Sequence, residues 1–247
     1  MRKDIYLSVV MPVYKQEHEV VAYLKNLDKI LAGLNINYEI ICVVDGYLDN
    51  TFKNANEYIN KRVKVIGYEQ NQGKGYAVRL GMSKARGKII GFVDGGFDLK
   101  YSCIPLALEH MKWYNADIII GSKRHPASKV AYPWQRRILS WGYQMCVKLF
   151  FGINIRDSQV GIKFFQRKVV KEIMPKLLIK TFAFDIEMLA VANRIGFSRI
   201  YEFPIELKLE FGTSSIATMG FFKTSWNMLW DTLAVFYRLK IRHYYDK

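Results

Sequence analysis

Cysteine is scarce in this chain, and acid is in deficit. Only three cysteines occur in 247 residues, Cys42, Cys103 and Cys146. They lie far apart in apolar or mixed surroundings, which excludes a disulfide framework and a cysteine metal cluster. They read as reduced core residues of a cytosolic protein. No run of about twenty uncharged apolar residues exists, so no transmembrane span is expected. The N-terminal stretch MRKDIYLSVVMPVY is basic and then apolar. Its apolar part is short and broken by Pro12, which suits a first β-strand better than a signal peptide. Internal repeats, low-complexity tracts and evident linkers are also missing. Asp and Glu number 22 against 37 Lys and Arg, a formal charge of +15. Such a surplus calls for an anionic partner: nucleic acid, acidic lipid or phosphorylated substrates. No zinc-finger, helix-turn-helix or RNA-recognition signature supports nucleic acid. What is present in quantity is apolar: 51% of residues are hydrophobic and 15% aromatic, enough to bury a large core.

Apolar runs alternate with helical spacing. Residues 5–14 read as a strand, and Pro12 can end pairing at its C-terminal edge. Val20, Tyr23, Leu24, Leu27, Ile30, Leu31 and Leu34 give a helix from Glu19 to Leu34. Residues 38–44 form a second strand that delivers Asp45, Gly46 and Asp49 to its end, with Asp49 the N-cap of a helix from Asn50 to about Ile59. Val63 to Tyr68 is a third strand. A helix to about Ala85 and a fourth strand ending at Asp94 follow. A helix over about 104–114 leads to a fifth strand, 117–121, and then to Ser122, Lys123 and Arg124. This alternation predicts an α/β fold with a mostly parallel sheet and helices on both faces. Charged residues then arrive after strands two, four and five at one sheet edge, where ligands bind in open α/β sheets.

The organising stretch is NQGKGYAVRLGMSKARGKIIGFVDGGFDL, Asn71 to Leu99. Gly73 and Gly75 bracket Lys74. Glycines let backbone approach a ligand, and a helix beginning near Tyr76 would aim free N–H groups at an anion. Asp94 and Asp98 then follow an apolar strand. The expected ligands are a metal ion and the diphosphate of a nucleotide-sugar. Beyond residue 125 come a long amphipathic segment from Trp134 to Phe151, a turn and strand over 156–165, and a helix from Phe182 to Ile195 with Asp185 and Glu187 in its first turns. Residues 199–209 are extended, and Pro204 implies an edge or the end of pairing.

These segments together resemble family-two glycosyltransferases of the GT-A (Rossmann-like) fold. The nearest branch is the polyprenyl-phosphate hexose synthases, such as dolichyl-phosphate mannose or glucose synthase. The resemblance runs from about Leu7 to Tyr201. It rests on MPVY at 11–14, DGYLDNT at 45–51, NQGKGYAVRLGMSKARG at 71–87, VDGGFDL at 93–99 and GSKR at 121–124. RRILS at 136–140, RDSQVGIKFF at 156–165, FAFDIEML at 182–189 and YEFPIEL at 201–207 complete it. It implies one GT-A domain over 1–210, with 211–247 a C-terminal amphipathic, membrane-associating extension.

The resemblance also implies roles. Pro12, Val13, Tyr14 and Asp45 would contact the base and ribose of a UDP- or GDP-hexose. Asp94 and Asp98 would hold Mg²⁺ or Mn²⁺. The family's first Asp after strand two is Val44 here, and the third position of its Asp-x-Asp motif is Gly96. Lys74 would help to hold the diphosphate. Arg124 and Arg136, with Ser140, match the positions that relatives use for a polyprenyl phosphate acceptor, and a guanidinium fork suits phosphate. The implied reaction is inverting hexose transfer. A lipid phosphate is already ionised and needs no general base. A sugar hydroxyl would need one, with Asp157, Asp185 and Glu187 as candidates. A nucleotide-binding relative without turnover is the third reading, motivated by Val44 and Gly96.

The tail bears on the acceptor. Phe221, Phe222, Trp226, Leu229, Trp230, Leu233, Phe236 and Tyr237 recur at helical spacing, followed by Arg238, Lys240, Arg242 and His243. Such a helix either lies in a membrane interface or packs on the core or on a second copy of the chain, as in a homo-oligomer. The expectation is a peripheral protein at the cytoplasmic membrane face.

Overall fold

A computed structural model describes residues 4–96, 99–130, 134–181, 183–207 and 221–246, apart from the side chains of 134–140 and 221–226. Its elements run β1 (Leu7–Val13), α1 (Val20–Ala32), β2 (Tyr38–Asp45), α2 (Thr51–Asn56), β3 (Val63–Tyr68), α3 (Lys74–Lys84), β4 (Ile89–Val93) and α4 (Ile104–Trp113). They continue through β5 (Ile118–Ser122), β6 (Lys129–Val130), α5 (Trp134–Phe151), β7 (Ile162–Gln166), α6 (Arg167–Ile173) and α7 (Phe184–Arg194). Last come β8 (Ile200–Pro204), β9 (Glu206–Leu207) and α8 (Phe221–Phe236), which runs into a π-helical turn at Tyr237–Ile241.

The central sheet has the order β3-β2-β1-β4-β7-β5-β8, and β6 pairs with β9 beside it. β1 is parallel to β2 and to β4, while β7 is antiparallel to both β4 and β5. β5 therefore runs the same way as β1, β2 and β4, and all four deliver their C-terminal ends to one edge. Among the described strands β8 forms the far edge of the sheet, and Pro204 lies at its end, where no further described strand needs its missing N–H. Pro12 pairs with Val43 inside β1, beyond the last β1–β4 pair at Val10 and Phe92.

The strands are apolar throughout because both faces are covered. Their side chains alternate between two cores. Val10, Ile41, Val43, Ile90, Phe92, Ile118 and Ile120 face one side, packed by α3, α5, α6, α7 and α8. Val9, Met11, Ile40, Cys42, Val44, Val93 and Ile119 face the other, under α1 and α4. All three cysteines are free thiols, and burial pushes Cys42 and Cys103 up to about 12, so both stay protonated. α8 turns Thr232 and Val235 inward, and Leu239 in the following turn is 3% exposed. The opposite side leaves Trp230, Tyr237 and Ile241 open at 68%, 51% and 60%.

Several boundaries differ from expectation. The helix expected from Asn50 to Ile59 is shorter, Thr51–Asn56, and its N-cap is Asn50 rather than the expected Asp49, whose carboxylate, one residue further out, accepts the Thr51 N–H at 3.0 Å. α6 was not anticipated, because RKVVKEI is too short to display a helical period.

Candidate active site

The strand order reverses between β1 and β4, which opens a crevice at their C-terminal ends. Asp94 stands there. Its backbone N–H donates to the carbonyl of Gly161 at 2.8 Å, and its carbonyl accepts the Tyr101 hydroxyl at 2.9 Å. The next residue, Gly95, lies against the end of β1. A Cβ added there would sit 2.9 Å from Val13 and 3.4 Å from the Pro12 carbonyl. The Pro12–Tyr14 segment and the Asp94 turn therefore adjoin, with Tyr14 exposed and Pro12 and Val13 buried.

The Asn71–Lys74 loop ties β2 to β4. Asp45, at the end of β2 and 4% exposed, is enclosed by this loop. Its Oδ1 accepts the Tyr68 hydroxyl at 2.8 Å, the Gln72 N–H at 2.8 Å and the Gly73 N–H at 3.2 Å. Its Oδ2 accepts Asn71 Nδ2 at 2.9 Å and the Gly73 N–H at 3.0 Å. Burial and the Asp45 charge push the Tyr68 phenol well above its ordinary range, so it remains a donor. The far end of the loop carries Lys74, whose ammonium lies 2.7 Å from Asp94 Oδ1 and donates to Oδ2 at 2.8 Å.

The expected anion cradle of free amides at the start of α3 is not present. Helix α3 begins at Lys74, and the Gly75 and Tyr76 N–H groups donate to the Lys180 carbonyl at 2.8 and 3.4 Å. Those of Gln72 and Gly73 go to Asp45. Gly73 sits at φ +95 with its Cβ position 2.5 Å from the Lys180 carbonyl, so no side chain fits. The positive charge at this corner comes from the Lys74 side chain instead.

Behind Lys74 lies a buried row of alternating charge. Asp185 is 2% exposed and accepts from Lys163 Nζ at 2.5 Å; Lys163, fully buried, also donates to the Val160 carbonyl at 2.7 Å. Burial raises the Asp185 pKa, with Lys163 and Lys74 opposing it. Burial lowers that of Lys163 against the pull of Asp185. Burial alone would also lower Lys74, but the charges of Asp94 and Asp185 outweigh it and hold its pKa above the ordinary value. Phe92 lies beneath both ammonium groups, its centroid 5.8 Å from Lys74 Nζ and 5.3 Å from Lys163 Nζ.

The other two base candidates are also internal. Asp157 is 1% exposed and accepts the Lys123 and Gln159 N–H groups at 3.1 and 3.2 Å. Glu187 is fully buried; it accepts the Leu178 and Ile179 N–H groups and the Tyr245 hydroxyl. Arg124 follows β5 at the same edge. Its turn is pinned to Asp157, and the loop from Asp157 ends at Gly161, whose carbonyl accepts the Asp94 N–H, so this loop joins the two positions. The side chains of Arg136 and Ser140, in the first turns of α5, and the whole of Asp98 lie outside the described residues.

With this geometry in place, comparison with known proteins is decisive on one point. The model of the family described as glycosyl transferase family 2 matches residues 8–174. The chain belongs to that family. Among curated relatives, the Drosophila melanogaster dolichyl-phosphate beta-glucosyltransferase is 34% identical over 208 residues, covering 78% of this chain and 64% of that protein. The Homo sapiens protein of the same name is 31% identical over 205 residues, covering 76% of this chain and 63% of its own length. The chain thus spans less than two thirds of the length of these relatives. Among solved structures, mannosyl-3-phosphoglycerate synthase from Rubrobacter xylanophilus superposes with a TM-score of 0.73 at 15% identity, covering 96% of this chain and 75% of that one. Glucosyl-3-phosphoglycerate synthase from Mycobacterium tuberculosis, crystallised with Mn²⁺, UDP and phosphoglyceric acid, gives 0.69 at 16% identity, covering 94% and 78%. The fold is therefore GT-A.

For a family-two glycosyltransferase of this fold, two site residues escaped the sequence reading. Lys163 lies in an apolar strand, Ile162–Gln166, and its one signal was a charge at an otherwise buried position. Gly161 carries no chemistry, yet a Cβ there would sit 1.8 Å from Asp94 Oδ2. Only a glycine leaves room for that carboxylate.

Proposed function

We propose that this protein transfers a hexose from a nucleoside-diphosphate sugar to a polyprenyl phosphate, with inversion at the anomeric carbon. The names of the curated relatives support glucose as the hexose, and the donor is a UDP- or GDP-hexose. One observation carries the choice of acceptor. The three carboxylates from which a hydroxyl acceptor would need a base, Asp157, Asp185 and Glu187, are all buried and already engaged. A phosphate acceptor is ionised near neutral pH and needs only cations to hold it. Arg124, Arg136 and Ser140 are assigned to that task, and Pro12, Val13 and Tyr14 to the wall of the donor site. Asp45 serves by holding the loop that carries Lys74.

A divalent cation fits the corner if the donor completes its shell. The Asp94 side chain is 41% exposed, and the Gly96 position is open, with nothing within 4 Å of an added Cβ. Mg²⁺ and Mn²⁺ accept one or two carboxylates together with substrate phosphate oxygens. Asp94, with Asp98, would hold the ion, which supplies Lewis-acid stabilisation of the leaving diphosphate. Lys74 adds a second positive charge on the same side. The charges of Asp94 and Asp185 keep Lys74 protonated. The 211–247 segment belongs to the same reading: its open aromatic face rests on an anionic membrane surface, where the acceptor resides. No described helix is long and apolar enough to cross a membrane.

The test is transfer of labelled hexose from UDP-glucose, GDP-mannose and related donors to a short polyprenyl phosphate, with Mg²⁺ or Mn²⁺. Product is expected with at least one donor, and Asp94→Asn removes it. No product with any donor overturns the reading.

A further inference from the structure

We propose that Glu187 is a positioning residue for the donor site, and that it acts only when the C-terminal Tyr245 is docked on it. This rests on the functional reading above. The link begins at α7. Glu187 accepts the Leu178 N–H at 3.1 Å from both oxygens and the Ile179 N–H at 2.9 Å. Its Oε1 also accepts the Tyr245 hydroxyl at 2.6 Å, and Tyr245 is fully buried. Arg238 lies 4.0 Å from the same oxygen. One carboxylate thus joins the end of the chain to residues 177–181.

That segment in turn holds the start of α3. The Lys180 carbonyl caps the Gly75 and Tyr76 N–H groups, and Lys180 Nζ donates to Gln72 Oε1 at 3.0 Å. Arg79 donates to the Leu177 carbonyl. A second strut comes from α8, where the Thr181 hydroxyl donates to Asp231 Oδ2 at 2.6 Å. Lys74, the residue that meets Asp94, is the first residue of the helix so capped. The C-terminal segment is therefore part of the support of the donor site, with Tyr245 three hydrogen-bonded steps from the start of α3.

Two matched variants separate this from simple tail docking. Tyr245→Phe removes one hydroxyl and keeps the ring. Asp246→Asn weakens the neighbouring lock, in which Asp246 accepts from Arg194 at 2.8 and 2.6 Å and touches nothing in 177–181. In the protein without donor, Tyr245→Phe should speed amide exchange in 177–181 and 72–76 about ten- to hundredfold, the worth of one hydrogen bond to a charged group. Asp246→Asn should leave both segments unchanged. With UDP-glucose or GDP-mannose as donor, Tyr245→Phe should raise the donor KM about tenfold or more, with kcat within about twofold. Unchanged exchange in Tyr245→Phe, or equal acceleration in both variants, overturns the proposal. If the wild type binds neither donor, the functional reading fails, and the exchange measurement still decides the link from Tyr245 to the loop.

Discussion

At the scale of single residues, the site turns on where one carboxylate can stand. Asp94 is held on three sides: by the Gly161 carbonyl, by Tyr101 and by the Lys74 ammonium. Its motif marked it in the sequence. The residue that makes room for it did not, because a glycine's absence of atoms has meaning only once the neighbour is known. Gly161→Ala is a strong test. The new Cβ would fall 1.8 Å from Oδ2, so the carboxylate or the 157–161 loop must move. A misplacement of about 1 Å costs on the order of 10²-fold in rate. We expect kcat/KM for hexose transfer to fall about 10²-fold while far-UV circular dichroism is unchanged. Retention of most activity would mean that Asp94 has slack the geometry does not suggest. Lys163 teaches a related lesson. Its charge was visible in the strand, but its partner Asp185 lies 22 positions away, and only the antiparallel insertion of β7 brings them together.

At the scale of elements, the strands and the long helices were legible because hydrophobic period decides them. Val63–Tyr68 was read with its observed ends, and β1, β2, β4 and β5 within about two residues. The order of strands past β4 was not legible. Nothing local in IKFFQ distinguishes a parallel from an antiparallel neighbour, since both faces are buried either way. The capping of α3 by Lys180 was hidden for the same reason: its acceptor is a main-chain carbonyl more than a hundred positions from the helix it caps. Glycines in helices show how context overrides propensity. Gly81 in α3 lies against β1 and β2, with its Cβ position 2.3 Å from Val10 and 2.9 Å from Val43. Gly142 in α5 has nothing within 4 Å. Alanine is favoured over glycine in a helix by about 1 kcal/mol. Overpacking against stiff β-branched side chains costs about 1–3 kcal/mol. Gly142→Ala should therefore raise the thermal midpoint by about 2–4 °C and Gly81→Ala should lower it. A rise in both would show that α3 can slide away from the sheet.

At the scale of the whole molecule, acid and membranes probe different charges. Glu39 is buried yet held below its ordinary 4.5; burial opposes this, and Lys64, Ser8 and the Arg86 N–H outweigh it. Asp117 lies below 3.8 for the same kind of reason, with Arg199 and Lys168 outweighing burial. Arg194 and His243 draw Asp246 lower still. A carboxyl depressed in the folded state binds fewer protons there than in the unfolded chain. Its contribution is complete above the unfolded value and is lost as pH falls through the folded one. The thermal midpoint should thus decline slightly below about pH 6.5, where burial holds the His110 imidazole below its ordinary value, and fall further below about 4.5, and Glu39→Gln should flatten that second fall. The positive surplus acts outward instead. Leu229, Trp230, Leu233, Tyr237 and Ile241 are open on α8 and its following turn, and Trp141, Met145 and Leu149 are open on the adjoining α5. The two helices touch through Phe150 and Phe236, 5.0 Å apart, and through Tyr143 and Thr232 at 3.0 Å. Burying one such side chain in lipid is worth about 1.5–3 kcal/mol, and each basic residue near an anionic surface adds about 1 kcal/mol, screened by salt. Stable attachment to a membrane takes two such terms together. Binding to vesicles containing phosphatidylserine should accordingly exceed binding to neutral phosphatidylcholine vesicles and should weaken as salt rises. Trp230→Ser should lower it about tenfold at every salt concentration. If Trp230→Ser binds like the wild type, the open face of α8 does not meet lipid, and a second protein surface becomes its partner.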